Sequence, residues 1–215
     1  MNSSKAIPGI LFTGGAAPKR PPRGIDFEGA LVVAADSGVE TALAWEVRPR
    51  LVVGDMDSIS EPEVLDHFGA DEVRRYGREK DYTDTELGLM ALWELGAGEI
   101  TVIGGGGGRL DHLLGMVALF DRDTHPRRWY TENELVECVD DELVLPGAVG
   151  ETVSFFPAGS GPTRMESEGL KWPLNGLIWS RGDLGISNEV IDEKCRVRVT
   201  EGRLILVRNQ PRVLP

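Results

Sequence analysis

Four runs in the first two-thirds of the chain are apolar without alternation: Ile10-Leu11-Phe12, Leu31-Val32-Val33-Ala34-Ala35, Leu51-Val52-Val53 and Ile100-Thr101-Val102-Ile103. Continuous runs of this length suit strands covered on both faces, as in a parallel sheet. Helix-like segments lie between and after them, near residues 39–46, 61–68, 84–95 and 111–120. The third has a clear start, because Thr83 precedes it and Glu86 stands three residues later, the spacing of a capping box. Gly96 and Gly98 are suitable stops. The alternation predicts an α/β domain with mostly parallel strands.

Near residue 145 the pattern changes, and no helical period follows. Arg196-Val197-Arg198-Val199-Thr200 alternates, Glu201-Gly202 reads as a turn, and Arg203-Leu204-Ile205-Leu206-Val207 follows, which predicts a hairpin. Val153-Ser154-Phe155-Phe156 and Gly176-Leu177-Ile178-Trp179 add strands. The expected architecture is an α/β domain over residues 1–143 followed by an all-β, sandwich-like domain over 144–215.

Ligands of open α/β sheets bind beyond the carboxyl ends of the strands. Polar groups gather at those ends. Asp36 follows the second run, and Gly54-Asp55-Met56-Asp57-Ser58 follows the third. The glycine run Gly104 to Gly108, then Arg109, Asp111 and His112, follows the fourth. Lys80-Asp81-Tyr82-Thr83-Asp84 opens the third helix. Each aspartate alone is equally consistent with a helix start or a turn cap. Together they form a set of hard oxygen donors, which suits magnesium and, through it, phosphate.

The glycine run does not fit the dinucleotide fingerprint, since the sixth position from Gly104 is Arg109, and no GxxxxGK[ST] occurs. Glycines at Gly107 and Gly108 permit close backbone approach and N–H donation to an anion. The Arg109 guanidinium matches phosphate oxygens, and Asp111 is a helix-cap candidate. In Gly169-Leu170-Lys171-Trp172-Pro173-Leu174, Trp172 is either core or a stacking platform for a flat cationic ring. Ser187-Asn188 is either a turn or a pair of polar contacts.

Charge narrows the partners. The chain of 215 residues carries 23 basic and 35 acidic residues, a net charge of −12. An acidic chain is poorly suited to binding a phosphate backbone by counterion release, so no nucleic-acid partner is expected. Cys138 and Cys195 form no CxxC motif, which argues against a zinc site. The residues from Met1 to Pro8 lack signal-peptide character, and no apolar run approaches the roughly 20 residues that cross a bilayer. The expectation is a cytoplasmic protein with no membrane partner.

The ordered set Asp36-Ser37-Gly38, Gly54-Asp55-Met56-Asp57-Ser58, Lys80-Asp81-Tyr82-Thr83-Asp84, Gly107-Gly108-Arg109-Leu110-Asp111-His112, Gly169-Leu170-Lys171-Trp172-Pro173-Leu174 and Ser187-Asn188-Glu189 resembles the thiamine pyrophosphokinase family. The glycine run is longer than that pattern, and residues 121–130 have little to match. The resemblance implies pyrophosphoryl transfer from ATP to thiamine, giving thiamine diphosphate and AMP, in a homodimer whose active sites lie between subunits. It implies an α/β catalytic domain that binds ATP and Mg2+, then a thiamine-binding β-sandwich. Asp55, Asp57, Asp81 and Asp84 would hold magnesium. Asp57, Asp81, Asp84, Arg109 and Asp111 would be catalytic. Asp36, Lys80, Thr83, Gly107, Gly108 and Arg109 would contact the nucleotide. Trp172 would stack on thiamine, with Ser187 and Asn188 beside it. Two alternatives keep the fold: a pyrophosphokinase for another alcohol such as a hydroxymethylpterin, and a non-catalytic thiamine or nucleotide binder.

Overall fold

The computed structural model describes residues 6–210, which divide into two compact units. The first holds the residues up to Leu114 together with Trp129–Glu132; the second holds Gly115–Arg128 and the residues from Asn133 onward. The units therefore part earlier along the chain than the change of pattern near residue 145.

In the first unit the strands are β1 (Ile7–Thr13), β2 (Leu31–Ala35), β3 (Leu51–Gly54), β4 (Val73–Arg75), β5 (Ala97–Ile103) and, except for its first residue, β6 (Arg128–Tyr130). Their order is β6-β5-β1-β2-β3-β4, and the pairs β1–β2, β1–β5, β2–β3 and β3–β4 are all parallel. The chain steps outward from β1 in one direction and returns to β5 on the other side, so the switch point lies between β1 and β5. The helices are α1 (Gly38–Ala44) and α2 (Asp84–Glu94), and α3 (Leu110–Ala118) begins in this unit and ends in the second.

Successive strand residues point to opposite faces, and both faces are covered. Ile10, Phe12, Val32, Ala34 and Val52 join Val39 and Ala42 of α1 in one core. On the other face α2 lies so close that a Cβ on Gly88 would be 2.4 Å from Leu11 Cδ1 and 3.4 Å from Ala35 Cβ. Phe12 and Leu11 are fully buried on opposite sides. Each such side chain stabilises the fold by about 1.5–3 kcal/mol.

The four strand expectations hold, and so does the start of α2. Glu86 N–H donates to Thr83 Oγ1 at 3.3 Å, and Thr83 N–H donates to Glu86 Oε2 at 2.8 Å. Thr83→Ala should lower the unfolding free energy by about 1 kcal/mol, read as a shifted urea midpoint with an unchanged slope. The segment near 61–68 is instead a 3-10 turn, Pro62–His67. Pro62 fits the first turn of either helix, but among the six residues only Leu65 is buried. One apolar anchor does not hold a full α-helix.

In the second unit the strands are β7 (Glu134–Val139), β8 (Glu142–Pro146), β9 (Thr152–Ala158), β10 (Thr163–Glu168), β11 (Ile178–Trp179), β12 (Gly185–Glu189), β13 (Lys194–Glu201) and β14 (Arg203–Asn209). Two antiparallel sheets, β12-β9-β14-β7 and β11-β10-β13-β8, enclose a core that includes Leu145, Phe155, Met165, Val197 and Leu204. This is the expected sandwich. The expected hairpin is not formed. β13 pairs with β10 and β8, while β14 pairs with β7 and β9. Glu201-Gly202 carries the chain from one sheet to the other. Both thiols are buried and free, and burial pushes Cys138 up to about 12. Among the described residues no helix is long and apolar enough to cross a membrane.

Candidate active site

Three parallel-sheet features aim carboxylates at one point. Asp36 follows β2 with its backbone in the left-handed region, φ 49°, and its N–H donates to Val53 O at 2.8 Å. Asp55 follows β3, and Asp84 is the first residue of α2. Each of the three offers an oxygen, and these oxygens all lie within 4.8 Å of one another. Gly54 makes the approach possible. A Cβ there would stand 2.8 Å from Asp84 Oδ1 and 3.4 Å from Asp36 Cβ.

Among the described residues one cation, Lys80, pairs with the cluster. Lys80 Nζ is 3.1 Å from Asp55 Oδ2 and 2.9 Å from Asp84 Oδ1. The contact with Asp84 is an ion pair off the hydrogen-bonding direction, since Asp84 Oδ1 has no hydrogen-bond partner. Asp36 Oδ1 is likewise buried and unpartnered. Three carboxylates face one ammonium, which leaves two negative charges unbalanced when all are ionised. Burial raises Asp36 above the ordinary carboxylate value, opposed by Ser58 and reinforced by the charges of Asp84 and Asp55. Burial also pushes Asp55 upward, but hydrogen bonds from Lys80 and the Asp57 N–H reverse this and hold it below its ordinary value. Lys80 is pushed down by burial and, more strongly in sum, up by Asp84 and Asp55. Unsatisfied hard oxygens in this number and spacing fit a divalent cation such as magnesium.

Asp57, Asp81 and Thr83 are not among the convergent three. Asp57 lies at the rim, where its carboxylate accepts from Ser58 Oγ at 3.1 Å and pairs with Arg78 at 2.9 Å. Asp81 is exposed and outside the convergent three. The Thr83 hydroxyl is engaged in the α2 cap, donating to Glu86 Oε2 at 2.8 Å. Sequence spacing did not single out Arg78; the signal was its place two residues before Lys80, mirroring Asp55 and Asp57.

The glycine loop is partly occupied by its own backbone. Gly104, Gly105 and Gly106 donate to Tyr130, Gly14 and Ala16 carbonyls at 3.0, 2.8 and 3.1 Å. Among the described residues, no hydrogen bond engages the Gly107 or Gly108 N–H, so any anion would be met there. Arg109 forms a fork with Asp111, Nε to Oδ1 at 3.1 Å and a terminal nitrogen to Oδ2 at 2.5 Å. That fork draws the exposed Asp111 carboxyl down to about 2. Asp111 is not the cap of α3, which begins one residue earlier at Leu110; it sits in the first turn.

In the second unit Trp172 is 55% exposed, which removes it from the core. The Lys171 ammonium lies 5.0 Å from the ring centroid. Asn188 is buried and grips the backbone of Trp172. Its Oδ1 accepts from Trp172 N–H at 3.2 Å and from Glu189 N–H at 2.8 Å, and its Nδ2 donates to Trp172 O at 2.7 Å. Ser187 is exposed, has φ 60°, and donates its N–H to Ser154 Oγ at 3.1 Å.

A second group, His125, Cys138 and Asp140, was not foreseen from sequence. Its carboxylate already meets Arg127 at 3.1 Å and Arg203 at 2.8 Å. Two guanidinium groups on the only carboxylate and a high thiol pKa make it a structural ion-pair network rather than a metal centre.

Residues 28–127 match the family description "Thiamin pyrophosphokinase, catalytic domain", and residues 141–204 match "Thiamin pyrophosphokinase, vitamin B1 binding domain". The thiamine pyrophosphokinase of Bacillus subtilis (strain 168) is 29% identical over 195 residues, covering 85% of this chain and 88% of that one. The crystal structure of thiamine pyrophosphokinase from Bacillus subtilis superposes with a TM-score of 0.74 at 26% identity, covering 95% of this chain and 99% of the other. That of thiamin pyrophosphokinase from Geobacillus thermodenitrificans gives 0.71 at 28% identity, with coverage of 95% and 99%. The two matched spans fall one on the acidic cluster and one on the Trp172 sandwich, and with these relatives at nearly full length the chain belongs to the thiamine pyrophosphokinase family.

Proposed function

We propose that this chain transfers the pyrophosphoryl group of ATP to the hydroxyethyl oxygen of thiamine. The bond from that oxygen to the β-phosphorus forms, the bridge between α- and β-phosphorus breaks, and AMP leaves. The alcohol proton passes to a nearby base. The single observation that carries this reading is the convergence of Asp36, Asp55 and Asp84 beyond the ends of parallel strands.

Asp55 and Asp84, with Asp36, would hold Mg2+. When bound, Mg2+ neutralises polyphosphate charge and fixes the direction of attack. Asp57 and Asp81, outside the convergent three, would add negative charge that favours cation binding. The free N–H groups of Gly107 and Gly108 and the Arg109 fork would receive phosphate oxygens, with Asp111 keeping the fork oriented until the nucleotide arrives. Trp172 would take the thiazolium ring. The Lys171 ammonium, held by Glu189 at 2.7 Å, lies 5.0 Å from the ring centroid, a geometry compatible with a cation over this ring. Asn188 then acts by holding the Trp172 backbone, and Ser187 is free at the surface to contact thiamine.

The family assignment favours neither a pterin alcohol nor binding without turnover. A homodimer and a cytoplasmic location accompany the reading; light scattering tests the first. The test of the reaction is incubation with ATP, Mg2+ and thiamine. AMP with thiamine diphosphate is the expected pair. ADP with thiamine monophosphate would reject pyrophosphoryl transfer, and no consumption of thiamine would reject the substrate. Trp172→Ala should raise KM for thiamine about tenfold, the equivalent of about 1.4 kcal/mol of ring stacking, and leave KM for ATP unchanged in steady-state kinetics.

A further inference from the structure

We propose that Lys80 is a resident counter-ion of the acidic cluster, displaced by the divalent cation and then free to pair with the anionic tail of the nucleotide. The inference rests on the metal-binding reading of Asp36, Asp55 and Asp84. Lys80 is only 14% exposed, and so is Asp55, with Asp84 at 25%. Its ammonium therefore sits among the carboxylates rather than over them. It touches two of the three and leaves Asp36 Oδ1 unpartnered, so it neutralises the set incompletely.

The segment that carries it is matched to the acids. Arg78 pairs with Asp57 at 2.9 Å, and Lys80, two residues on, pairs with Asp55, two residues back. Two cations at a spacing of two meet two acids at the same spacing. Without metal this pairing holds like charges together that would otherwise repel. A divalent ion on the same carboxylate oxygens repels the ammonium at that distance and weakens its hold there. Lysine is suited to leaving, since its charge is compact and its four-carbon stem lets the ammonium move without backbone change.

The test is a Mn2+ titration, followed by paramagnetic resonance, of the wild type and Lys80→Met. Without nucleotide the variant should bind Mn2+ at least tenfold more tightly, and with Mn2+ present it should bind a non-hydrolysable ATP analogue more weakly. Equal or weaker Mn2+ binding by the variant overturns the displacement. Failure of both proteins to bind Mn2+, even with the analogue, overturns the metal reading beneath it as well. Should the variant misfold, the wild type decides. Lys80 is one of five lysines, and per-residue amine labelling should find it slow without metal, several-fold faster with Mn2+, and protected again by the analogue. Lys19 and Lys194 should label at constant rates. Unchanged Lys80 labelling on Mn2+ binding overturns the proposal.

Discussion

Asp55→Asn leaves the chain folded and lowers thiamine diphosphate formation by about a thousandfold. The side chain keeps its shape and one of its two oxygens, so the turn after β3 is retained. The charge is lost at the centre of the cluster, where Asp55 lies among Asp36, Asp84 and Lys80. Two effects oppose each other in the metal-free protein. The ion pair to Lys80 is lost, and repulsion from two neighbouring carboxylates, about 4 kcal/mol for a bare pair at 4 Å in an effective dielectric near 20, is relieved. The melting temperature without metal should therefore move little. The stabilisation conferred by Mg2+ with nucleotide, which arises by linkage, should largely vanish. Turnover within tenfold of wild type, measured by product chromatography, would remove Asp55 from the reaction.

Gly104→Ala should be the most damaging small substitution for stability, by about 3 kcal/mol or more. The residue has φ 101°, and a Cβ there would stand 2.1 Å from the Thr13 carbonyl oxygen. The neighbouring chain cannot yield, because Gly105 N–H is bonded to Gly14 O and Trp129 Nε1 to Gly104 O, at 2.8 and 2.6 Å. Strained backbone costs about 1–3 kcal/mol and an overpacked core a similar amount. For a chain of this size the melting temperature should fall by roughly 10 °C. A fall of less than about 2 °C would mean that the loop after β5 is looser than its contacts imply. The same loop carries Gly107 and Gly108, so the variant should also bind nucleotide more weakly.

Much of this was legible in the residues. The unbroken apolar runs located β1, β2, β3 and β5 because strands covered on both faces leave no polar alternation. Thr83 and Glu86 located the start of α2 because a reciprocal cap is a local interaction. The acids could be assigned to the strand ends by the same logic. What sequence could not give was the aim of each side chain. The family resemblance makes Asp36 a nucleotide contact, yet its left-handed backbone turns it toward Asp55 and Asp84. Asp57 lies two residues from Asp55 and meets Arg78 instead. The missed sheet-to-sheet crossing at Gly202 did leave a trace. Arg196 to Thr200 alternates, whereas Leu204-Ile205-Leu206 is buried throughout. Two strands in different surroundings are poor partners for one hairpin, a contrast that turn chemistry alone conceals.

The most direct measurement is anomalous diffraction at the manganese edge from crystals soaked with Mn2+ and a non-hydrolysable ATP analogue. A peak within about 2–2.5 Å of carboxylate oxygens from at least two of Asp36, Asp55 and Asp84 is the predicted result. A bound analogue whose metal lies elsewhere, with those three carboxylates coordinating nothing, would contradict it.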